Sequence, residues 1–276
     1  MNLSFKLLSM GAVLTLGLTA CGAKDDAAHE VAEESVVEET GAVETANSEA
    51  ALAAALASDM RPDEDKADDA ARKPGAVIAF AGIAPGMSVF EMEAGSGYYT
   101  EIISHIVGPE GSVIMQNPES FDAFLGDAVP KRLADDRLAN VRHTKSNFDN
   151  LDAEDASADV VTWILGPHEM YFTPSDGVTL GEVGPTYDEV FRVLKPGGSF
   201  VVLDHKAAPG SPETTGGTLH RIDPDIVKGL AASAGFVLVE ESDVLANAED
   251  DYSMSVFDPK VRRNTDRFLH KYAKPE

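Results

Sequence analysis

The chain has 276 residues, with 22 basic side chains against 47 acidic ones and a formal net charge of −25. That balance argues against a nucleic-acid binder, or a protein held to anionic lipid by charge, because either needs a basic patch and no run of three consecutive cations occurs. The one cysteine, Cys21, excludes a disulfide framework.

In chain order, Lys6 is followed by an apolar stretch over residues 7–20, short for a bilayer span but suited to the apolar region of a signal peptide. It ends in Leu18, Thr19, Ala20 and Cys21, which resembles the lipobox of bacterial lipoproteins and implies removal of residues 1–20 and lipidation of Cys21. Gly22 in the next position resembles lipoproteins sorted to the outer membrane, so the expected location is the periplasmic side of the envelope. Residues 24–60 carry Lys24 against ten acidic side chains and no aromatic, and residues 21–60 read as a disordered tether. A helix over 50–57 has the propensity but would be marginal alone. The folded domain is expected over residues 61–276, which keep a net −17, with Pro62 opening a helix that runs to Ala71.

Beyond it, strand and helix alternate. The pattern predicts a strand at 88–90, a glycine turn, a helix over 98–107 and a strand at 112–116. Helical segments at 120–125 and 130–139 follow, then strands at 141–145 and 160–165. The remainder reads as a helix over 187–194, a strand at 199–204, a helix over 224–234 and strands at 236–241 and 267–274. This order predicts an α/β, Rossmann-like, doubly wound and mainly parallel sheet with helices on both faces.

Two glycine turns stand out: Glu91, Met92, Glu93, Ala94, Gly95, Ser96, Gly97 after the first strand, and Leu194, Lys195, Pro196, Gly197, Gly198 before a later one. With Ile83 to Met87 leading in and Asp155 to Val161 opening another strand, the series resembles the class I S-adenosylmethionine-dependent methyltransferases. A narrower likeness, to a group of predicted bacterial extracytoplasmic methyltransferases, rests on Gly97 to Thr100, Gln116 to Pro118, Leu219 to Asp223 and Phe257 to Pro259. The resemblance implies seven strands with the last antiparallel, and S-adenosylmethionine as cofactor.

It also implies roles. Glu91, Gly95, Gly97 and Tyr98 belong to the first cofactor-binding motif, in which Glu93 replaces the usual first glycine. Gln116 and Asn117 stand where the family places the ribose-binding acid, and Asn147 and Phe148 where it contacts the adenine. His168, followed by Glu169 and Tyr171, is the first candidate base, with His205 and His220 as further catalytic candidates. The loop 209–217 is long enough to act as a lid. No His-x-x-x-His or comparable spacing is present, so no metal site is expected.

The expected function is methyl transfer to a small molecule or envelope component. The alternative is a non-catalytic module that binds a nucleoside or small metabolite on the same fold; ligand affinity with or without turnover separates the two.

Overall fold

The computed structural model describes residues 45–172 and 177–276; the signal segment and Cys21 lie outside the described residues. Residues 45–56, assigned to the tether by composition, form a helix, α1. Its apolar residues have a partner: Ala55 is buried, and Leu52 and Leu56 pack on the core that holds Val77 and Ile78. Order therefore begins upstream of Arg61, because packing of one helical face outweighs the segment's charge. Arg61 pins the junction, donating to the Leu56 carbonyl and to Asp69.

Helix α2 (Asp63–Arg72) begins after Pro62, and its first turn is acidic, which suits the positive end of the helix dipole. A helix without a counterpart in the sequence reading follows, α3 (Pro74–Ala81). It is apolar almost all round and lacks the polar face that marks a surface helix, since Val77, Ile78 and Ala81 are all buried.

The sheet comprises β1 (Ser88–Met92), β2 (Ser112–Asn117), β3 (Val141–Lys145), β4 (Ala158–Ile164), β5 (Leu194–His205), β6 (Val237–Ser242) and β7 (Arg267–Ala273). Their spatial order is β3-β2-β1-β4-β5-β7-β6. The first five run parallel, and β7 is antiparallel to both neighbours, as the resemblance implies. Side chains alternate between two cores. Val89, Val160 and Val201 face α3 and α4 (Tyr98–Val107), whereas Phe90, Val161 and Phe200 face α7 (Val183–Val193) and α9 (Pro224–Ser233).

The helix expected over 130–139 is broken. After α5 (Asp122–Leu125), α6 (Ala128–Arg132) stops, and Asp135 and Asp136 take left-handed φ values of 55° and 53°. Tertiary demand explains the break. Arg132 is drawn to Asp65 and Glu101, and Arg137 to Glu101 and the Met60 carbonyl, around a Glu101 side chain with no exposed surface. Burial pushes the Glu101 carboxyl up, but the nearby His105 and the bonds from Arg137 and Arg132 prevail and hold it at about 2.

The second glycine turn is structural. It lies inside the first residues of β5, at the end of the sheet opposite the strand termini, where the Gly197 N–H donates to the Lys274 carbonyl and Lys274 donates to the Phe191 and Leu194 carbonyls. Among the described residues no helix is long and apolar enough to cross a membrane.

Candidate functional site

The order of the sheet reverses between β1 and β4, and in open α/β sheets ligands settle at the carboxyl ends of strands beside such a switch. A cavity of about 510 Å³ opens there. One wall is the first glycine turn, Glu91 to Ser96 with Tyr98 and Tyr99, beside Arg72 from α2. Ser120, Phe121 and Phe124, beyond β2, form a second wall, and Ile164, Leu165, Glu169, Phe172 and Phe257 form the third.

The turn is held open from below. Gln116 accepts from the Glu93 N–H at 2.9 Å and donates to the Ser146 carbonyl at 2.7 Å. Asn117 accepts from the Gly95 N–H at 2.8 Å and returns a bond to the Gly95 carbonyl at 3.1 Å. Both amides are buried, and neither lines the cavity, so the ribose role implied for them gives way to shaping the turn. Gly95 has φ +59°, and a Cβ there would meet no atom within 4 Å, so it would project into open space. Gly97 serves packing instead: a Cβ would meet Arg132 and Met115 at 3.1 and 3.2 Å. Arg132 also donates to the Ser96 carbonyl at 2.9 Å, tying the turn to α6.

Glu91 lies beneath the turn, buried and accepting from the Thr100 hydroxyl. Burial pushes its carboxyl up to about 8, against the opposing pull of Thr100 and Arg132. A carboxyl raised on folding stabilises the native state fully below the unfolded-state value near 4.5, and that contribution is lost as pH rises through 8. Glu91→Gln, which cannot ionise, is therefore expected to gain melting temperature relative to the parent chain between pH 5 and pH 9. A difference independent of pH, measured by thermal unfolding, would show that Glu91 does not titrate in this range.

An acidic wall closes the far side. The Trp163 indole N–H donates to Glu93 at 2.9 Å, so the carboxylate at the departed glycine position is directed to a core aromatic. Burial, then the charge of Glu169, pushes the Glu93 carboxyl well above its usual range. Gly166 makes this bond possible, because a Cβ there would lie 1.8 Å from the indole nitrogen and 2.3 Å from the Glu93 carboxylate. Trp163 is the single tryptophan, so the contact has its own optical signal. Gly166→Ala is expected to expel the indole from its pocket and shift its fluorescence to the red; an unchanged spectrum would mean that the backbone absorbs the methyl group.

His168 lies behind this wall rather than in it. Its backbone N–H donates to Asp204 at 2.9 Å, Nδ1 meets Asp204 at 2.7 Å and Nε2 meets Glu169 at 3.1 Å. Burial alone would depress its pKa, but the charge of Asp204 and the bonds to Asp204 and Glu169 push it up to about 10. Both ring nitrogens are thus engaged by carboxylates and the ring does not line the cavity, so it is not placed to take a proton from an acceptor, which corrects the expected role. Glu169 is raised by burial but held at about 2 by His168 and His220, and it is the member of this set that reaches the cavity.

His220 meets the same Glu169 oxygen through Nδ1 at 3.1 Å. His205 turns away to Thr265 at 2.6 Å, with its pKa pushed well down by burial and by neighbouring His168, Arg267 and Arg221, and it does not line the cavity. The placement of His220 depends on two glycines of the expected lid. A Cβ on Gly216 would lie 2.4 Å from the His168 carbonyl oxygen, and one on Gly217 2.3 Å from that of Tyr171, so only glycine lets α8 (Thr215–Leu219) pack so closely on the 3₁₀ turn Pro167–Tyr171.

The structure thus gathers Glu91, Glu93, Gly95, Tyr98 and Glu169 at one cavity. It does not bring Asn147 or Phe148 there. Asn147 is exposed, and Phe148 is fully buried against Trp163, with ring centroids 5.2 Å apart, because the chain after β3 dives into the core under α7. The aromatic side chains that line the cavity beyond β2 are Phe121 and Phe124. The sequence signal for them was an aromatic pair three residues apart just past the β2 terminus. Arg72 carried no local signal, since it enters the wall from α2.

The fold and the placement of this cavity define a class I methyltransferase architecture. The ubiE/COQ5 methyltransferase family model matches residues 71–211, and the chain belongs to that family. A ubiquinone/menaquinone biosynthesis C-methyltransferase, UbiE, from Shewanella woodyi is 31% identical over 127 residues, 46% of each chain. Its counterpart from Ectopseudomonas mendocina is 32% identical over 140 residues, 49% of this chain and 48% of its own. The chain matches about half the length of these curated relatives. A crystal structure of a SAM-dependent methyltransferase from Aquifex aeolicus shares the fold, with a TM-score of 0.54 at 19% identity over 78% of this chain and 99% of its own.

Proposed function

We propose that the protein is an S-adenosylmethionine-dependent methyltransferase acting on an apolar small molecule or a component of the cell envelope. The observation that carries this reading is the glycine turn of a methyltransferase family member, held by Gln116 and Asn117 so that Gly95 faces an open cavity at the switch point.

The residues present fit the cofactor. Ser120 Oγ is buried without a hydrogen-bond partner at the cavity wall and offers a bond to a ribose hydroxyl. Phe121 and Phe124, with centroids 4.7 Å apart, offer a face to an adenine, and Phe124 is 67% exposed. Arg72, stacked over Tyr98 at 4.5 Å, supplies a cation for the carboxylate of the amino-acid moiety. The cavity volume lies in the range of small-ligand sites.

When bound, the cofactor supplies a methyl group already activated by its sulfonium charge. The chain's own work is then to align an acceptor and to exclude water, a contribution that reaches ~7 kcal/mol or more in well-oriented reactions. Ile164, Leu165, Phe172 and Phe257 give the acceptor an apolar seat. Glu169, ionised in the cavity wall, favours positive charge beside it and accepts a hydrogen bond from an acceptor O–H or N–H. So weak a base suits an acceptor that ionises readily. The names of the curated relatives, which refer to quinone biosynthesis, point the same way, toward an apolar aromatic acceptor.

Calorimetric titration of the full chain with S-adenosylmethionine and with its demethylated product tests the reading. Micromolar affinity is expected for both. Absence of heat up to about 1 mM with folded protein would leave the fold as a binding module for another small metabolite.

We also propose that the chain is anchored by lipid on Cys21, on the strength of the apolar segment and the Leu18 to Cys21 motif. Cys21→Ser is expected to move the protein from the membrane fraction to the soluble one; unchanged fractionation would remove the anchor.

A further inference from the structure

We propose that His168, Glu169 and His220 form a binding site for one divalent transition-metal ion of the zinc type at the acidic wall of the cavity. The three ligand atoms, one from each residue, lie within 4.8 Å of one another. Two of the separations, His168 Nε2 to Glu169 Oε1 and Glu169 Oε1 to His220 Nδ1, are 3.1 Å. Ligands about 2.05 Å from a tetrahedral zinc ion stand roughly 3.3 Å apart, so two of the three edges already have the required length.

Three further features support the assignment. First, the other nitrogen of His168 is bonded to Asp204 at 2.7 Å, and Asp204 is itself held by the His168 and His205 backbone N–H groups. A carboxylate behind a histidine in this way fixes the ring and aims its second nitrogen at a metal. Second, Glu93, Glu169 and Asp204 converge on this wall, and among the described residues no lysine or arginine bonds to any of them. A divalent cation bound through His168 Nε2 displaces the proton there and sets its own charge against Glu169 and Asp204. Third, the rings of Phe172 and Phe257 flank His220 at 5.1 and 4.8 Å, while Glu169 also borders the cavity. Three protein ligands on one side thus leave a position toward the cavity for an oxygen donor, the pattern of a reactive zinc site rather than a closed structural one.

The residues are distant in sequence, with His220 51 positions beyond Glu169, which is why spacing alone does not expose the set. The close packing of Gly216 and Gly217 on the 3₁₀ turn brings them together. The site does not depend on the cofactor reading, since it can be filled whether or not a nucleoside binds.

The test is titration of the chelator-treated full chain with zinc chloride alone, followed by calorimetry, with circular dichroism confirming the fold. One equivalent is expected to bind with micromolar or tighter affinity. His220→Asn, chosen because asparagine tolerates the left-handed φ of 55° at this position, is expected to weaken binding at least tenfold, as is Glu169→Gln. Asp204→Asn is expected to weaken it 10- to 100-fold with the same stoichiometry. His270→Ala removes a histidine paired with Glu241 elsewhere and is expected to change nothing. Cobalt in place of zinc is expected to give the visible absorption of a tetrahedral site. Folded protein that binds no zinc up to about 1 mM, or binding that survives both His220→Asn and Glu169→Gln unchanged, overturns the assignment.

Discussion

Gly95→Val is expected to reduce affinity for S-adenosylmethionine by at least ~100-fold, equivalent to about 2.7 kcal/mol. Two effects act together. At φ +59° a β-branched residue is strained by roughly 1–3 kcal/mol, and its side chain projects into the space where the ligand must lie. Gly95→Ala, which adds only one carbon, should fall between the two. Calorimetry on each variant, with circular dichroism to confirm the fold, checks the series. Parent-like affinity in the valine variant would place the ligand away from the turn and remove the observation on which the proposed function rests.

Asp250→Ala is expected to cost about 3–5 kcal/mol of folding stability, a large share of the ~5–15 kcal/mol that a typical domain has. Asp250 and Arg221 have fully buried side chains and are paired at 2.8 and 3.1 Å. Asp250 also accepts from the Asp266 and Tyr252 N–H groups, and Arg221 donates to the Met254 and Lys206 carbonyls. Truncating the carboxylate strands a guanidinium and two amide groups where water cannot reach them. The expected drop in melting temperature is roughly 10 °C, and zinc and nucleoside affinity should fall with it, because Arg221 holds the segments that carry His220 and Phe257. Replacing both partners by apolar residues should recover part of the loss. A melting temperature within about 2 °C of the parent would show that the pair is better solvated than its burial implies.

The sheet was readable because alternation of apolar strands with amphipathic helices is local, and the 98–107 helix and 141–145 strand coincide with those observed. The departures have physical causes. α3 lacks polar punctuation because even its exposed positions, Ala76 and Ala79, are apolar, and the 130–139 segment yields to the pull of Glu101 on two arginines. At the site, the glycine turn and Tyr98 were legible as motif residues. Gln116 and Asn117 stand out in the sequence, but their hold on the turn does not, since a buried amide that binds backbone and one that binds ribose look alike there. Phe148 was drawn to the ligand by analogy, whereas the core under α7 claims it. Arg72 and the joining of His220 to Glu169 depend on contacts between distant segments, which no local pattern records.

The bond from Arg132 to the Ser96 carbonyl extends further. The same guanidinium grips Asp65 of α2 and Glu101 of α4, so the loop facing the ligand and the helix bearing Arg72 are parts of one braced assembly. Conformational freedom at this wall of the cavity is surrendered when the chain folds, and little remains there to be surrendered when a ligand arrives. Association should therefore show a heat-capacity change that matches the surface covered, with no added contribution from a loop becoming ordered.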